Sequence, residues 1–318
     1  MFNAIHCPQC GGTLPRQAIW RTVSCPYCKA LITRDVETVR RADFHAAWQR
    51  AHGSCGSAGR ILQVGERRYR LLALLGEGEH SAVHLAESCG ASPARVTIKL
   101  ARNPANSLLA EADVLRQLAA LNCAGAEYFS QRLPQLEHVG LVGESISDAP
   151  ATERLALVLR HPVGFGSSVA DILGAHPRGL RDPRHAVWIW RRILEVLAYI
   201  HASGWTHGDL RPEHLLVHPG DHGVLMIGWA HAKAGGDTVR DLQQSAWVIR
   251  SLLAGESGDA PAIPISLPRP LANLLRRASQ DSHECRRLGA VGIEQQLVAA
   301  AREAFGPPTF VHFDPLLA

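Results

Sequence analysis

Two C-x-x-C pairs, Cys7 with Cys10 and Cys25 with Cys28, lie 14 residues apart near the amino terminus, and few local patterns restrict a chain so strongly. A tight turn around each pair directs two thiolates to one side, and joining the turns supplies a tetrahedral set of sulfurs suited to Zn2+. Paired disulfides are the alternative. The opening stretch MFNAIHCPQC has no basic region followed by an apolar run, so no secretion signal is expected and the thiols are read as metal ligands in the cytoplasm. A metal held by all of these cysteines has no open coordination position, which makes its expected role structural.

The segment over residues 1–33 resembles a zinc ribbon, a module whose core is too small to stay folded without its metal. Over residues 34–59 a helix with Val36, Val39, Phe44, Trp48 and Ala51 near one face is expected, followed by the linker HGSCGSAG. Cys55, Cys89, Cys123 and Cys285 have no pair spacing and are expected to act as small apolar side chains. The net charge of +4 arises in the first 60 residues, with eight Lys/Arg against three Asp/Glu, while the remainder holds 25 against 26. That excess suits a solvated surface or an acidic protein partner and is small for nucleic acid. The longest apolar stretch, AVWIWRRILEVLAYI, is interrupted by two arginines and is too short to span a bilayer, so no membrane association is expected.

Lysine occurs three times, at Lys29, Lys99 and Lys233, against 30 arginines. A retained lysine is therefore informative. Lys99 lies in the strand pattern RVTIKL, preceded by YRLLALLGEGEHSAVHLAE with Gly76, Gly78, Ser81 and Val83, and followed by the helix pattern SLLAEADVLRQL with Glu111. A glycine turn between apolar strands is by itself a hairpin signal, although its backbone N–H groups can also approach phosphate oxygens. Further on, RLALVLRHPVGFG reads as a buried strand. Asp182 and Pro183 open a long helix that stops before Gly204.

This order of strand, glycine turn, lysine strand and helix resembles the amino-terminal lobe of protein kinases. The resemblance continues in WTHGDLRPEHLLV, which is similar to the family's H-R-D-L-x-x-x-N loop, with His207 and Asp209 matching. TVRDLQQSAWVIRSLLAG is similar to the family's helix that braces that loop, through Asp241, and LPRPLANLLRRASQDSHECRR to a late helix of the larger lobe. The resemblance covers residues 60–305. It implies an α+β, two-lobed kinase-like fold behind the zinc ribbon, with the amino-terminal lobe and hinge over 60–166 and the carboxyl-terminal lobe over 167–318. It further implies that Gly76, Gly78, Ser81, Val83, Lys99 and Glu111 form an ATP site, and that Asp209 stands where the family accepts the substrate proton.

The departures are concentrated at the metal. His214 stands in place of the asparagine, and Gly228, Trp229 and Ala230 in place of D-F-G, so both expected Mg2+ ligands are replaced. Mg2+ requires hard oxygen donors, which imidazole and bare backbone do not supply. Asp221 and Asp237 are candidates for a substitute ligand, the former with a turn as its expected role. Gly208 replaces the loop arginine, only residues 231–240 separate the altered triplet from Asp241, and the docking helix is reduced to ESGDAPAIPISL. The reading that unites these losses is a pseudokinase-like scaffold in signalling, with ATP as a candidate ligand, Mg2+ unsupported, and a protein partner. The alternatives are an active Ser/Thr kinase with an atypical metal site and a zinc-ribbon regulator that binds nucleic acid. The oligomeric state stays open.

Overall fold

The computed structural model describes residues 7, 14, 23–29, 31–32, 59–78, 80–90, 93–102, 106–143, 154–256 and 260–316. Cys10, the helix expected around Val36–Ala51, and all but the last residue of the linker lie outside them. Helices and strands mix as expected of an α+β chain, which divides into two compact units. The smaller is Glu37–Asn122 with Pro134–Pro162, and the larger is Met1–Val36, Cys123–Leu133 and Val163–Ala318. Among the described residues no helix is long and apolar enough to cross a membrane.

At the amino terminus, β1 (Val23–Ser24) and β2 (Leu31–Ile32) form a short antiparallel hairpin. The smaller unit is built on a closed antiparallel barrel of β3 (Ile61–Val64), β4 (Arg67–Glu77), β5 (Ser81–Ser88), β6 (Arg95–Ala101), β7 (Leu136–Gly143) and β8 (Arg154–Arg160), in the order β3-β4-β5-β6-β8-β7. Strand alternation dictates the core. Val96, Ile98 and Leu100 of β6 point inward with Leu62, Tyr69 and Val158, while Thr97 and Lys99 take the opposite face. Helix α1 (Asn106–Ala119) covers part of the outer face, packing Leu108 and Ala112 against Leu155 and Leu157. Strand β3 closes the barrel by pairing Gln63 with Gly143 and Val64 with Val142.

In the larger unit a short helix α2 (Ala126–Phe129) is followed by β9 (Ser167–Ser168) and α3 (Val169–Ala175), which starts in a capping box of Ser168 and Asp171. Helix α4 (Pro183–Ala202) has the ends read from the sequence: Asp182 accepts from the Arg184 N–H, Pro183 occupies the first turn, and Gly204 follows with φ +79°. Buried residues cover most of its circumference, and the indole N–H of buried Trp190 donates to Ser245 at 3.1 Å. After α4 come β10 (Trp205–Thr206), the hairpin of β11 (Leu215–His218) and β12 (Gly223–Met226), and β13 (Lys233–Ala234), which pairs with β10. Helices α5 (Thr238–Ala254), α6 (Arg269–Gln280) and α7 (Ser282–Phe305) complete the unit. The described residues 260–268, within and just after the reduced docking segment, contain no helix. Cys285 is buried as expected, whereas Cys89 and Cys123 are exposed, a correction to their reading as apolar packing residues.

Candidate functional site

At the β1–β2 turn the residues C-P-Y-C bring the second ligand pair, Cys25 and Cys28, together: the Lys29 N–H donates to the Cys25 carbonyl at 3.0 Å, and Lys29 takes φ +62° to complete the turn. The Sγ atoms of Cys7, Cys25 and Cys28 lie within 4.8 Å of one another, with Cys7 and Cys28 at 3.7 Å. Two thiolates bound to tetrahedral zinc at about 2.3 Å are separated by roughly 3.8 Å, so that spacing suits ligands of one ion. Three of the four expected ligands thus share a site, and Cys10 is outside the described residues.

Within the smaller unit, Lys99 and Glu111 form the pair that the kinase resemblance implied. Lys99 Nζ donates to Glu111 Oε2 at 2.6 Å, and the Glu111 side chain is 3 % exposed. Glu111 occupies the apolar stripe of α1 between Leu108 and Leu115, and a carboxylate there requires a cationic partner. The β4–β5 turn places Gly76 opposite Val83 and lets the Gly78 N–H donate to the Ser81 carbonyl at 2.8 Å. A Cβ at Gly76 would meet nothing within 4 Å, and one at Gly78 only the Ser81 carbonyl at 3.7 Å. The protein's own packing therefore does not demand either glycine.

In the larger unit the loop after β10 is organised from below by Asp241 on α5. This carboxylate, fully buried, accepts from the His207 N–H and the Gly208 N–H at 2.8 Å each and pairs with His201 Nε2 at 3.0 Å. Burial pushes its pKa up, but the hydrogen bonds from His201, Gly208 and His207 outweigh that and hold it below the ordinary carboxylate value. His207 Nε2 donates to the Ile227 carbonyl at 2.8 Å, and its ring packs edge-on to Trp229 at 4.7 Å. Burial drives its pKa down to about 4, so the imidazole is neutral at physiological pH. Gly208 has φ +78°, and a Cβ there would stand 2.6 Å from the His231 carbonyl. The loop arginine of the family thus has no room, because the Trp229–His231 turn lies directly against the loop.

Asp209 and His214 sit at the loop's working end. Arg211 Nη2 binds the Asp209 carboxylate at 3.0 Å, and His214 Nδ1 donates to the Asp209 carbonyl at 2.6 Å. That bond fixes the Nδ1–H tautomer and leaves Nε2 facing Arg211 Nη2 at 3.5 Å. The His214 carbonyl in turn accepts from the Ile227 N–H at 2.8 Å, tying the loop to the chain just before Gly228. Gly228 is left-handed, with φ +82°, and a Cβ there would lie 2.6–2.7 Å from Cδ2, Cγ and Nε2 of His214. The imidazole therefore occupies the space that a side chain at 228 would need. The two substitutions are one steric arrangement, and sequence spacing alone did not disclose it.

Neither candidate substitute ligand reaches this point. Asp221 sits in the β11–β12 turn, its N–H donating to His218 Nδ1 at 3.1 Å and its side chain 62 % exposed. Asp237 caps α5, accepting from the Val239 N–H at 3.1 Å, which corrects its reading as a candidate substitute ligand. The donor set around Asp209 thus does not fit Mg2+: its carboxylate is bound by Arg211, the neighbouring side chain is a committed imidazole, and position 228 has none.

No family model matches the chain. A calcium/calmodulin-dependent protein kinase type 1 of Macrobrachium nipponense is 29 % identical over 170 residues, 51 % of this chain and 42 % of that protein. The serine/threonine-protein kinase H1 of Homo sapiens is 30 % identical over 109 residues, 33 % of this chain and 24 % of that protein. The chain spans less than half the length of these curated relatives. Among solved structures, the crystal structure of the BubR1 kinase domain superposes with a TM-score of 0.59 at 12 % identity, covering 77 % of this chain and 84 % of that one. The fold is protein-kinase-like.

Proposed function

We propose that this kinase-like chain is a pseudokinase: a cytoplasmic scaffold that presents protein partners with a shape sensitive to nucleotide but does not transfer phosphate. The observation that carries the reading is the His214 ring seated on Gly228. Phosphoryl transfer depends on metal ions to neutralise charge on the β- and γ-oxygens. Here the positions that would hold such an ion are filled by imidazole and bare backbone, and the Asp209 carboxylate is neutralised from within by Arg211. The curated relatives are kinases by name, whereas this chain replaces both residues that hold the metal in the general kinase pattern.

Lys99 with Glu111 and the space beside Gly76 and Gly78 support a retained site for the phosphates of ATP. If ATP binds at about 100 µM, a millimolar concentration stabilises the chain by about 1.4 kcal/mol, a melting shift of a few degrees. That shift is expected to be the same in Mg2+ and in EDTA, and to vanish in Lys99→Met, read against the variant's own melting point. A shift that requires Mg2+, or efficient labelling of a protein substrate from radioactive ATP, would restore the reading as an active kinase.

The cysteine cluster supports a structural zinc ion held by Cys7, Cys10, Cys25 and Cys28. Purified protein is expected to release one equivalent of zinc when its thiols are titrated with a mercurial, and Cys25→Ser to lose most of that metal. Zinc-free wild-type protein with a melting profile unchanged by added zinc would contradict a structural role.

A further inference from the structure

We propose that residues 307–316 form a detachable strap, seated by neutral imidazoles on the face made by α4 and the β11–β12 hairpin, and released when that face takes up protons. The chain turns at Gly306, with φ +81°, and runs back over the larger unit. His222 Nε2 donates to the Val311 carbonyl at 2.9 Å, and His176 Nε2 to the Pro315 carbonyl at 3.1 Å. Phe310 stacks on one face of His222 at 4.3 Å, while Trp188 stacks at 4.2 Å and nearly parallel. Phe313 is buried against His185 at 4.5 Å and the edge of Trp188 at 5.9 Å.

This seat is built for uncharged rings. With Nε2 of His222 donating to a carbonyl, Nδ1 carries the lone pair, and it is buried without a hydrogen-bond partner. A proton there would create a buried N–H with no acceptor inside an aromatic stack. Around His222 only the bond to the Val311 carbonyl favours its charged form: Arg192, His185 and His312 all disfavour it, and Glu195 is already bound by Arg192 at 2.6 Å. Around His185, Arg184, His312 and His176 act in the same sense, and the one opposing carboxylate, Asp182, is bound by Arg184. Burial holds His185 near about 4 and His222 near about 3.

The direction of the pH dependence follows from this. Both imidazoles are neutral while the strap is seated, and their pKa values move toward the ordinary value of about 6.5 once it leaves. Seating is therefore complete above about pH 6.5 and weakens as pH falls below it. At pH 5.5 each fully freed imidazole shifts the equilibrium toward release about tenfold, so the pair sets an upper limit of about a hundredfold.

Hydrogen exchange of the full chain, read by mass spectrometry at pH 7.5 and 5.5 and corrected for intrinsic rates, tests this. Amides of 309–314 are expected to lose at least tenfold in protection at the lower pH while those of α5 remain protected. In His185→Phe/His222→Phe, which keeps the rings but cannot titrate, the loss should stay below about threefold. Phe313→Ala should unseat the strap at both pH values without touching α5. A strap equally protected at both pH values, an equal loss in the double variant, a parallel loss through α5, or an undisturbed strap in Phe313→Ala would each overturn the proposal. Should the double variant not fold, the wild-type comparison and Phe313→Ala decide.

Discussion

Gly228→Ala is expected to destabilise the chain by about 3 kcal/mol while His214 is present, and by only about 1 kcal/mol in a His214→Ala background. Part of the first figure is intrinsic, since residue 228 has φ +82° and a left-handed conformation costs any L side chain. The rest is steric, because the new methyl would meet the imidazole at 2.6–2.7 Å, far inside ordinary contact. Removing the ring removes the second contribution and leaves the first. Urea unfolding of the wild type, the two single variants and the double variant should thus give a coupling of about 2 kcal/mol. Simple additivity would mean that His214 yields freely, and the idea of a filled metal position would be lost with it. The same cycle with Gly228→Asp and His214→Asn carries the chemistry further. Asparagine and aspartate return the oxygen donors, so the double variant should outlast Gly228→Asp alone on heating and gain a Mn2+-dependent shift that both single variants lack.

What the sequence disclosed depended on whether the cause was local. The ends of α4 were legible because Asp182, Pro183 and Gly204 act within one turn of where they stand. The Lys99–Glu111 pair was legible only through the kinase resemblance, since Glu111 taken alone reads as an exposed helix-face carboxylate and is in fact buried. The turn role of Asp221 followed from its glycine and proline neighbours. Long-range packing was not legible. Nothing in I-L-Q-V announces that β3 closes a barrel through β7, a contact across roughly 80 residues of chain. Gly208 read as a lost arginine, and its necessity appears only when the His231 carbonyl lies over it. His214 and Gly228 were each identified as missing ligands, yet their mutual dependence lives in the distance between a ring and an absent Cβ. The aromatic strap has no periodicity to reveal it, since its order comes from α4 and the hairpin beneath.

Asp241→Ala should be the most damaging single substitution in the larger unit, at about 4 kcal/mol, because it removes one acceptor and strands several donors. The His207 N–H has no water to turn to at this depth, because the Asp241 side chain is fully buried and so is His207, while the Gly208 N–H is half-buried. Asp241→Asn keeps the volume but directs an amide N–H at one of those donors, and a loss of about 2 kcal/mol is expected from that mismatch. The pH dependence has a definite sign. Because the folded-state pKa of Asp241 lies below its ordinary value, its contribution is complete above about pH 4 and disappears only as pH falls further, separating it from the histidine effects that begin near 6.5. In the alanine variant that acid-range slope should flatten. The loop would also loosen from its base, so His207, held neutral by burial and tied to the Ile227 carbonyl, should titrate closer to the ordinary imidazole value in an NMR pH series. A loss of 1 kcal/mol or less, with the His207 titration unmoved, would mean that the loop is held from elsewhere, and the geometry of Asp209 and His214 could not then be credited to α5.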